Sequence, residues 1–184
     1  MQHKLLTKST APARSATVPR GRRAAGAALA VRPVRRADLD AVIAIDATVT
    51  GLEKRRYWQR VYRRYGVAAA AEQRHFLVAV AGELVVGFLI GEVRDWEFGS
   101  PPCGWVFAID VDPAARQAGI GTRLLAALAM RFRRAGVGKL RTLLARENTL
   151  ILSFFRSQGM MAGPLISLEM DLGPGAPERG GARP

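Results

Sequence analysis

A glycine turn beside an arginine carries the clearest chemical signal in this chain. An apolar stretch, 105–111, leads through Arg116 to Gly119 and Gly121, and an apolar helical pattern starts immediately afterwards. Such a turn points successive backbone N–H groups into one concavity, where the unpaired donors and the helix dipole favour an anion. The two glycines permit close backbone approach and positive φ angles, and Arg116 adds a full positive charge. The turn therefore predicts a phosphate-binding site.

The surrounding pattern, rather than the glycine pair alone, supports this prediction. A G-x-G pair by itself is weak evidence, because many loops use glycines only for turn geometry. Leu124 stands where the dinucleotide fingerprint G-x-G-x-x-G requires Gly or Ala, and no G-K-S/T sequence of a nucleotide-binding P-loop follows. What remains is a strand, a glycine turn and a helix in the order that forms anion sites.

Length and composition limit the rest of the molecule. The 184 residues suffice for one domain with loose ends, and 49% hydrophobic with 23% charged residues is typical of a soluble globular protein. No apolar run approaches membrane-spanning length, so we expect no membrane partner. The lone Cys103 excludes an internal disulfide and is typical of a reducing, cytoplasmic compartment. With only His3 and His75, and no Cys/His cluster, we expect no metal site.

The net charge of +13 is concentrated near the N-terminus. Residues 1–37 contain nine Lys or Arg and no acid, whereas the remainder carries 19 bases against 15 acids. We therefore expect no nucleic-acid partner for the folded part. The pattern predicts a disordered basic tail over 1–27, either a plain extension or a segment that resembles an organelle transit peptide. A second disordered tail is predicted over 173–184.

Strand and helix patterns alternate along the middle of the chain, and together they must position the turn. Their order predicts an α/β (α+β) fold, a mixed sheet with helices on both faces, over residues 28–172. The predicted strands are 28–32, 76–80, 84–93, 105–111, 140–144 and 165–170, and the predicted helices are 37–49, 52–65, 119–134 and 148–157. Strand 105–111 is apolar at nearly every position, so we expect it to be covered on both faces.

The second helix combines aromatic and basic residues. Tyr57, Val61 and Tyr65 recur at helical spacing, with Trp58 and Tyr62 beside them and arginines on the other side. The pattern indicates either a core-facing aromatic stripe with a solvated basic face or a nucleic-acid-binding helix, and the first is the more frequent outcome.

Two motifs together resemble a known family. The sequence RQAGIG at 116–121 is similar to the R/Q-x-x-G-x-G/A signature of the GNAT superfamily of N-acetyltransferases. A second element agrees: Asn148, Phe155 and Gly159 match the spacing of the family's N-x-x-A-x-x-φ-Y-x-x-x-G-F pattern. The resemblance covers roughly residues 29–172. It implies a mainly antiparallel GNAT acyltransferase fold.

The resemblance also implies acetyl-CoA as the acyl donor. The backbone after Arg116 would hold the pyrophosphate, the strand edge would pair with the pantetheine amides, and a helix residue would reach the pantetheine arm. These cofactor-binding residues are Ile109, Val111, Arg116, Gln117, Ala118, Gly119, Ile120, Gly121, Thr122, Asn148 and Phe155. Arg123 could add charge or be a solvated helix residue.

The sequence departs from the family at both catalytic positions. Phe155 replaces the Tyr that protonates the departing thiolate in many members. The strand positions that usually hold the base are here occupied by Cys103, Trp105 and Phe107. Two explanations stay open. One is that another carboxylate is the catalytic base, and the candidates are Glu92, Asp95, Glu97 and Asp110. We prefer Glu97, because it lies near the end of the third strand, where the acceptor should enter. The other is that proximity of amine and thioester supplies most of the rate enhancement.

By the same resemblance, the acceptor surface lies on the first two helices and the loop after the third strand. The substrate-binding residues would be Tyr57, Trp58, Trp96 and Trp105, although ordinary helix-to-sheet packing explains such aromatics equally well. The short C-terminus leaves room for little more than a hairpin turning at Gly163-Pro164, or for strand completion by a partner subunit, so a homodimer stays open.

Three hypotheses of function follow. The first is an N-acetyltransferase that moves an acetyl group from acetyl-CoA to a primary amine of a small molecule or peptide, by direct attack in a ternary complex. The second is a non-catalytic acyl-CoA-binding or regulatory module that kept the turn and lost the acid and base. The third, and weakest, is a nucleic-acid-binding protein.

Overall fold

The structure is a computed structural model that describes residues 28–67, 73–116 and 118–170. The two tails predicted to be disordered, 1–27 and 173–184, lie outside the described residues, as does Gln117. The chain divides into two compact units, Met1–Leu143 and Leu144–Pro184. The domain bounds 28–172 stay a prediction.

A five-stranded sheet forms the centre of the first unit. Its strands follow chain order, and each pairs antiparallel with the next except for the last pair, which is parallel. This confirms the predicted mixed, mainly antiparallel sheet. The strands are β1 (Leu29–Pro33), β2 (Arg74–Ala81), β3 (Leu84–Arg94), β4 (Cys103–Val111) and β5 (Leu140–Thr142).

Helices cover both faces of this sheet, as predicted. Helices α1 (Leu39–Thr50) and α2 (Arg55–Tyr65) pack on one face, where Trp58 lies between Phe76 and Phe88 at ring-centroid distances of 6.1 and 4.9 Å. Helix α3 (Ile120–Arg134) covers the other face with the predicted apolar side chains. The buried residues of α3 are Ile120, Leu124, Leu125, Leu128 and Phe132.

Glycines in the sheet allow α3 to approach closely. A Cβ at Gly91 would lie 2.6 Å from the Trp105 carbonyl oxygen and 2.7 Å from Leu128, and a Cβ at Gly104 would overlap the Phe132 ring. At Gly87 an added Cβ would lie 3.2 Å from Ile120. The absence of a side chain at these three glycines therefore lets α3 pack directly against the strands.

Strand β4 has a bulge, and part of one edge is open. Ile90 of β3 pairs with Ala108 and Gly91 pairs with Val106, so Phe107 is the extra residue. Strand β5 pairs with β4 only from Gly104 to Val106. The prediction that this strand is covered on both faces holds for residues 103–106, which are buried, and is wrong for 107–111, which are partly or largely exposed. The same half of the strand also has no edge partner from β5, which ends at Thr142.

The second unit contains one helix, α4 (Thr149–Ser157), close to the predicted bounds. The predicted last strand, 165–170, and the hairpin at Gly163-Pro164 are wrong, because residues 160–170 form no helix or strand. The alternating apolar residues fit a strand, but a strand also needs a partner for its backbone groups, and no strand pairing among the described residues includes this segment. Its side chains are exposed, for example Ile166 at 84% and Leu168 at 91%.

Candidate functional site

The glycine turn follows directly from the open end of β4. The Asp112 side chain accepts a hydrogen bond from the Ala114 backbone N–H at 3.0 Å, and the Asp112 carbonyl accepts one from Ala115 at 2.8 Å. Together with Pro113 these bonds close a 3₁₀ turn, Pro113–Ala115. The chain is thus rigid before it enters the glycine segment.

The N-terminus of α3 is built to accept an anion. Gly119 caps the helix with a left-handed φ of 67°, and neither a side-chain cap nor an acidic residue lies in the first turn. The first helical hydrogen bond runs from the Arg123 N–H to the Gly119 carbonyl at 3.0 Å. The N–H groups of Ile120, Gly121 and Thr122 therefore have no acceptor inside the helix, and the helix dipole adds positive potential there.

The two nearby arginines differ in their surroundings. Arg116 is exposed at the end of the 3₁₀ turn, so its charge is available to a ligand. The Arg123 guanidinium donates a hydrogen bond to the Leu29 carbonyl on β1 at 3.2 Å. This contact connects α3 to the edge strand and supports a structural role for Arg123.

The half of β4 nearest this helix N-terminus has an open edge, and the 3₁₀ turn connects the two. Beyond Val106 the strand continues through Ile109 and Val111 with no partner from β5. Backbone groups at such an edge pair readily with an extended amide-containing chain. Among the described residues, a strand edge without a partner from β5 is therefore followed along the chain by a helix N-terminus without a side-chain cap.

Asp110 is a partly buried carboxylate on this half of β4. Burial, and then the negative charge of Asp46, raise the pKa of Asp110 to about 6, although Lys54 and Arg116 oppose the shift. A carboxylate with this pKa is ionised at neutral pH and binds a proton more readily than a solvated aspartate. Its properties are those of a general base.

A buried polar network adjoins Asp110 on the α1–α2 side of the sheet. Asp46 is 3% exposed and accepts hydrogen bonds from Lys54 Nζ at 2.9 Å and from Trp58 Nε1 at 2.8 Å. Both carboxylate oxygens thus have hydrogen-bond partners, which compensate for the burial of this side chain. Asp46 was not among the predicted site residues. Its signal in the sequence is an acid on the buried face of an amphipathic helix, one turn after Val42 and Ile43.

The other candidate carboxylates are engaged with arginines or exposed. Glu97 is 49% exposed and forms an ion pair with Arg94 at 3.1 Å. Glu92 is buried, with Arg94, Arg74 and Arg64 at 3.2, 3.5 and 3.9 Å. Asp95 is exposed and accepts a hydrogen bond from Gln73 at 3.3 Å. Asp110 differs from Glu92 and Glu97 in its contacts, because no arginine ion pair engages it among the described residues, and burial raises its pKa to about 6.

The four aromatic residues predicted to bind the acceptor divide into two pairs. Tyr57 and Trp96 are 44% and 72% exposed, which leaves them accessible to a ligand. The prediction for Trp58 and Trp105 needs correction, because they are 2% and 6% exposed. Trp58 is a core residue held by Asp46, and the Trp105 ring lies beneath the Arg94 guanidinium at 5.8 Å.

One exposed aromatic residue was not predicted to bind the acceptor. Phe107, the bulge residue of β4, is 43% exposed and lies 6.4 Å from the Tyr65 ring and 4.9 Å from the Arg94 guanidinium. The bulge turns this residue to the same side as Ala108, which a period-2 pattern does not anticipate.

The second unit holds the other motif. Asn148 is the N-cap of α4, where its side-chain oxygen accepts a hydrogen bond from the Ile151 N–H at 3.2 Å. This contact uses the side-chain oxygen and leaves the amide N–H₂ group as a donor. Phe155 is 3% exposed and packs against Phe154 at 5.1 Å, consistent with a packing role and with the absence of an ionisable group there.

Comparison with known proteins decides the family. The sequence profile of the acetyltransferase (GNAT) family matches residues 40–160, about two thirds of the chain. The chain belongs to this family. The match includes the glycine turn, the β4 edge and Asn148, so the resemblance of the two motifs is confirmed. As a GNAT protein, the chain is an acyltransferase.

Several solved structures share this fold at low sequence identity. An aminoglycoside N-acetyltransferase, AAC(6')-Iy in complex with CoA, is 19% identical with a TM-score of 0.69, covering 85% of this chain and 99% of that one. The same enzyme bound to a CoA bisubstrate analogue is 18% identical with a TM-score of 0.68, covering 78% and 98%. A transcriptional regulator from Bacillus halodurans is 19% identical with a TM-score of 0.67, covering 79% and 100%.

No curated protein sequence matches the chain. At 18–19% identity the structural neighbours establish the fold only. Within the part of the chain that the structure describes, no helix is long and apolar enough to cross a membrane.

Proposed function

We propose that this GNAT protein transfers an acetyl group from acetyl-CoA to a primary amine by direct attack in a ternary complex, with Asp110 as general base. The proposal rests on one observation above all: the half of β4 that has no partner from β5 is followed, after a short 3₁₀ turn, by a glycine-led helix N-terminus without a side-chain cap, and Asp110 lies on that half of β4.

The described residues fit acetyl-CoA. The N–H groups of Ile120, Gly121 and Thr122, together with Arg116, match a pyrophosphate in charge and in donor number. Ile109 and Val111 lie on the unpaired strand edge, which suits the amides of a pantetheine arm. Gln117 lies outside the described residues, and its role, like those of Ala118, Asn148 and Phe155, stays a proposal from the family pattern.

When bound, acetyl-CoA supplies a thioester, whose carbonyl carbon is open to attack by an amine. An acceptor amine is protonated at neutral pH, so a base must first remove a proton. Asp110 performs this step in the proposal, because its pKa of about 6 leaves it ionised while keeping its affinity for a proton higher than that of a solvated aspartate.

The remaining proton requirement is small. Phe155 has no proton to give, but a thiolate is a good leaving group and departs without an acid at this position. Lys54 and Asp46 act in the proposal as positioning residues: Asp46 raises the pKa of Asp110, and Lys54 pairs with Asp46. Glu97 is not favoured as the base, because it is solvent-exposed and already paired with Arg94.

The acceptor is proposed only as a primary amine. The aminoglycosides named for the neighbouring enzymes are not carried over, because identities of 18–19% support the fold and not the substrate. Tyr57, Trp96 and Phe107 offer exposed rings for the acceptor. The compartment is proposed to be the cytosol.

A binding experiment tests the donor site. At a hundredfold excess over Kd, acetyl-CoA should stabilise the chain by about 2.7 kcal/mol and raise its melting temperature. Gly121→Glu should abolish this shift, because its carboxylate would occupy the anion site while remaining favourable for the helix N-terminus. Ala126→Glu is the matched control: it adds the same charge on the exposed side of α3 and should leave the shift intact.

A turnover experiment separates the enzyme from a non-catalytic acyl-CoA-binding module. Acetyl-dependent thiol release should appear with at least one member of a panel of small diamines, amino acids, amino sugars and peptide N-termini. A melting shift without thiol release for any amine would favour the binding module. Absence of both the shift and turnover would contradict the donor site itself.

A further inference from the structure

A cleft lies at the opposite end of α3 from the glycine turn. It has a volume of about 430 Å³ and forms where the last residues of β1, α2 and α3 meet the first residues of β2. This volume lies within the range of small-molecule sites. Because Ile120 and Arg134 are 14 positions apart at 1.5 Å per residue, the cleft is about 20 Å from the proposed cofactor site.

The lining of the cleft combines apolar surface with a basic rim. Pro33 and the Tyr65 ring supply the accessible apolar surface, because Phe76 and Leu77, which also line the cleft, are only 2% and 1% exposed. Basic side chains line the rest: Arg74, His75, Arg131 and Arg134. Such a combination of apolar walls with a few convergent polar groups is typical of a site for a small organic molecule.

The positive charge of this rim is only partly neutralised. Arg74 has Glu92 at 3.5 Å. The ion pairs among the described residues include neither Arg131 nor Arg134. Arg131 donates a hydrogen bond to the Ala127 carbonyl at 2.8 Å, and Arg134 donates one to the Met130 sulfur at 3.6 Å. A guanidinium has five N–H donors, so both side chains keep donors for another group.

Two other effects bear on the charge of the cleft. Burial, and then the charge of Arg134, lower the pKa of Arg131, so the site holds two close guanidinium groups in a partly desolvated place. The C-terminal ends of α2 and α3 oppose an anion, but each contributes only about half a negative charge. Two full positive charges therefore exceed the helix-end contribution.

We propose that this cleft binds a small organic anion: an acidic head, phosphate or carboxylate, would contact Arg131 and Arg134, and a ring or branched apolar body would cover Pro33 and the Tyr65 ring. The site is separate from the donor site of the proposed function, and its occupant does not compete for the glycine turn.

Calorimetric titration of the full chain with phenyl phosphate tests the proposal. Saturable binding to one site is expected, with weaker binding of inorganic phosphate, which lacks the ring, and none of phenol, which lacks the charge. Arg131→Gln and Arg134→Gln should each weaken phenyl phosphate binding by about tenfold, the scale of one charge-assisted hydrogen bond. Arg133→Gln is the matched control, because Arg133 is exposed on the same helical turn and does not line the cleft. It should change the affinity by less than about twofold.

The cofactor turn is a second anion site, so Gly121→Glu decides between the two locations. Phenyl phosphate binding that survives Gly121→Glu and weakens in Arg131→Gln supports the cleft. Loss of binding in Gly121→Glu, an equal loss in Arg133→Gln, or no saturable binding by the wild-type chain would each overturn the proposal. The melting temperature of each variant without ligand shows that it is folded. The acetyl-CoA melting shift, which Arg131→Gln, Arg134→Gln and Arg133→Gln should keep, tests the proposed function separately.

Discussion

Replacing Asp110 by Asn tests the proposed base and its electrostatic setting together. If Asp110 removes the proton from the acceptor amine, kcat/KM should fall by about 10² to 10⁴, the usual contribution of a general base. In the wild-type enzyme, kcat/KM should decline below an apparent pKa of about 6. At one pH unit below this pKa, only about one tenth of the carboxyl groups are ionised, so the rate should be about tenfold below its plateau. In Asp110→Asn this acidic limb should disappear.

The same substitution has a stability effect whose sign follows from the raised pKa. Between pH 4 and 6 the folded state keeps a proton that the unfolded state has released, so wild-type stability increases as pH falls through this range. At neutral pH the buried charge costs stability. The rise of the Asp110 pKa from its ordinary value of 3.8 to about 6 corresponds to roughly 3 kcal/mol at most, which partial solvent exposure reduces to about 1–2 kcal/mol.

Asp110→Asn should therefore be more stable than wild type by about 1–2 kcal/mol at pH 7.5 and nearly equal at pH 4. Urea unfolding at the two pH values measures this change, and steady-state thiol release from pH 5 to 8.5 measures the rate. Glu97→Gln is the comparison, because Glu97 is the alternative carboxylate and is exposed. An unchanged acidic limb in Asp110→Asn would refute Asp110 as the base, and loss of the limb in Glu97→Gln would transfer the role to Glu97.

Two further predictions address the surroundings of the site. Lys54→Met should move the acidic limb of kcat/KM upward by about half a pH unit or more. The substitution removes a positive charge that lowers the pKa of Asp110, and it also removes the ion-pair partner of Asp46. A downward shift in the pH–rate profile would contradict this network. Gly91→Ala should lower the free energy of unfolding by about 1–3 kcal/mol in urea titrations, because the added Cβ would lie 2.6 Å from the Trp105 carbonyl oxygen. Gly138→Ala is the control, because its Cβ would have no atom within 4 Å, and it should change the free energy of unfolding little. Equal effects would show that α3 does not pack tightly on the sheet.

Local patterns predicted most of the secondary structure correctly. The helices around Val42 and Leu124, and the hairpin that turns at Gly82, were predicted because hydrophobic periodicity and glycine ends are properties of neighbouring residues. The glycine turn belongs to the same class. A left-handed Gly119 followed by a helix is a local arrangement, and an uncapped helix N-terminus has the same chemistry in any fold.

Features that depend on contacts between distant segments were predicted less well. The strand at 165–170 was predicted from its alternation, yet it lacks a partner among the described residues. Trp58 was predicted to lie on the acceptor surface, but it packs beside Phe76, Phe88 and Asp46. This position depends on how α2 packs on the sheet, which the local sequence pattern does not specify. A propensity for strand or helix does not specify which surface an element covers.

The sequence by itself therefore determined the family, the order of the elements and the anion-binding turn, because each depends on residue types at short, fixed spacings. Only the tertiary structure decided which carboxylate suits a base. Glu97 and Asp110 are chemically alike in the sequence. They differ because Glu97 ends in solvent beside Arg94, whereas Asp110 is partly buried near Asp46. A pKa is set by the charges and solvent around a group, and these come from segments that are far apart along the chain.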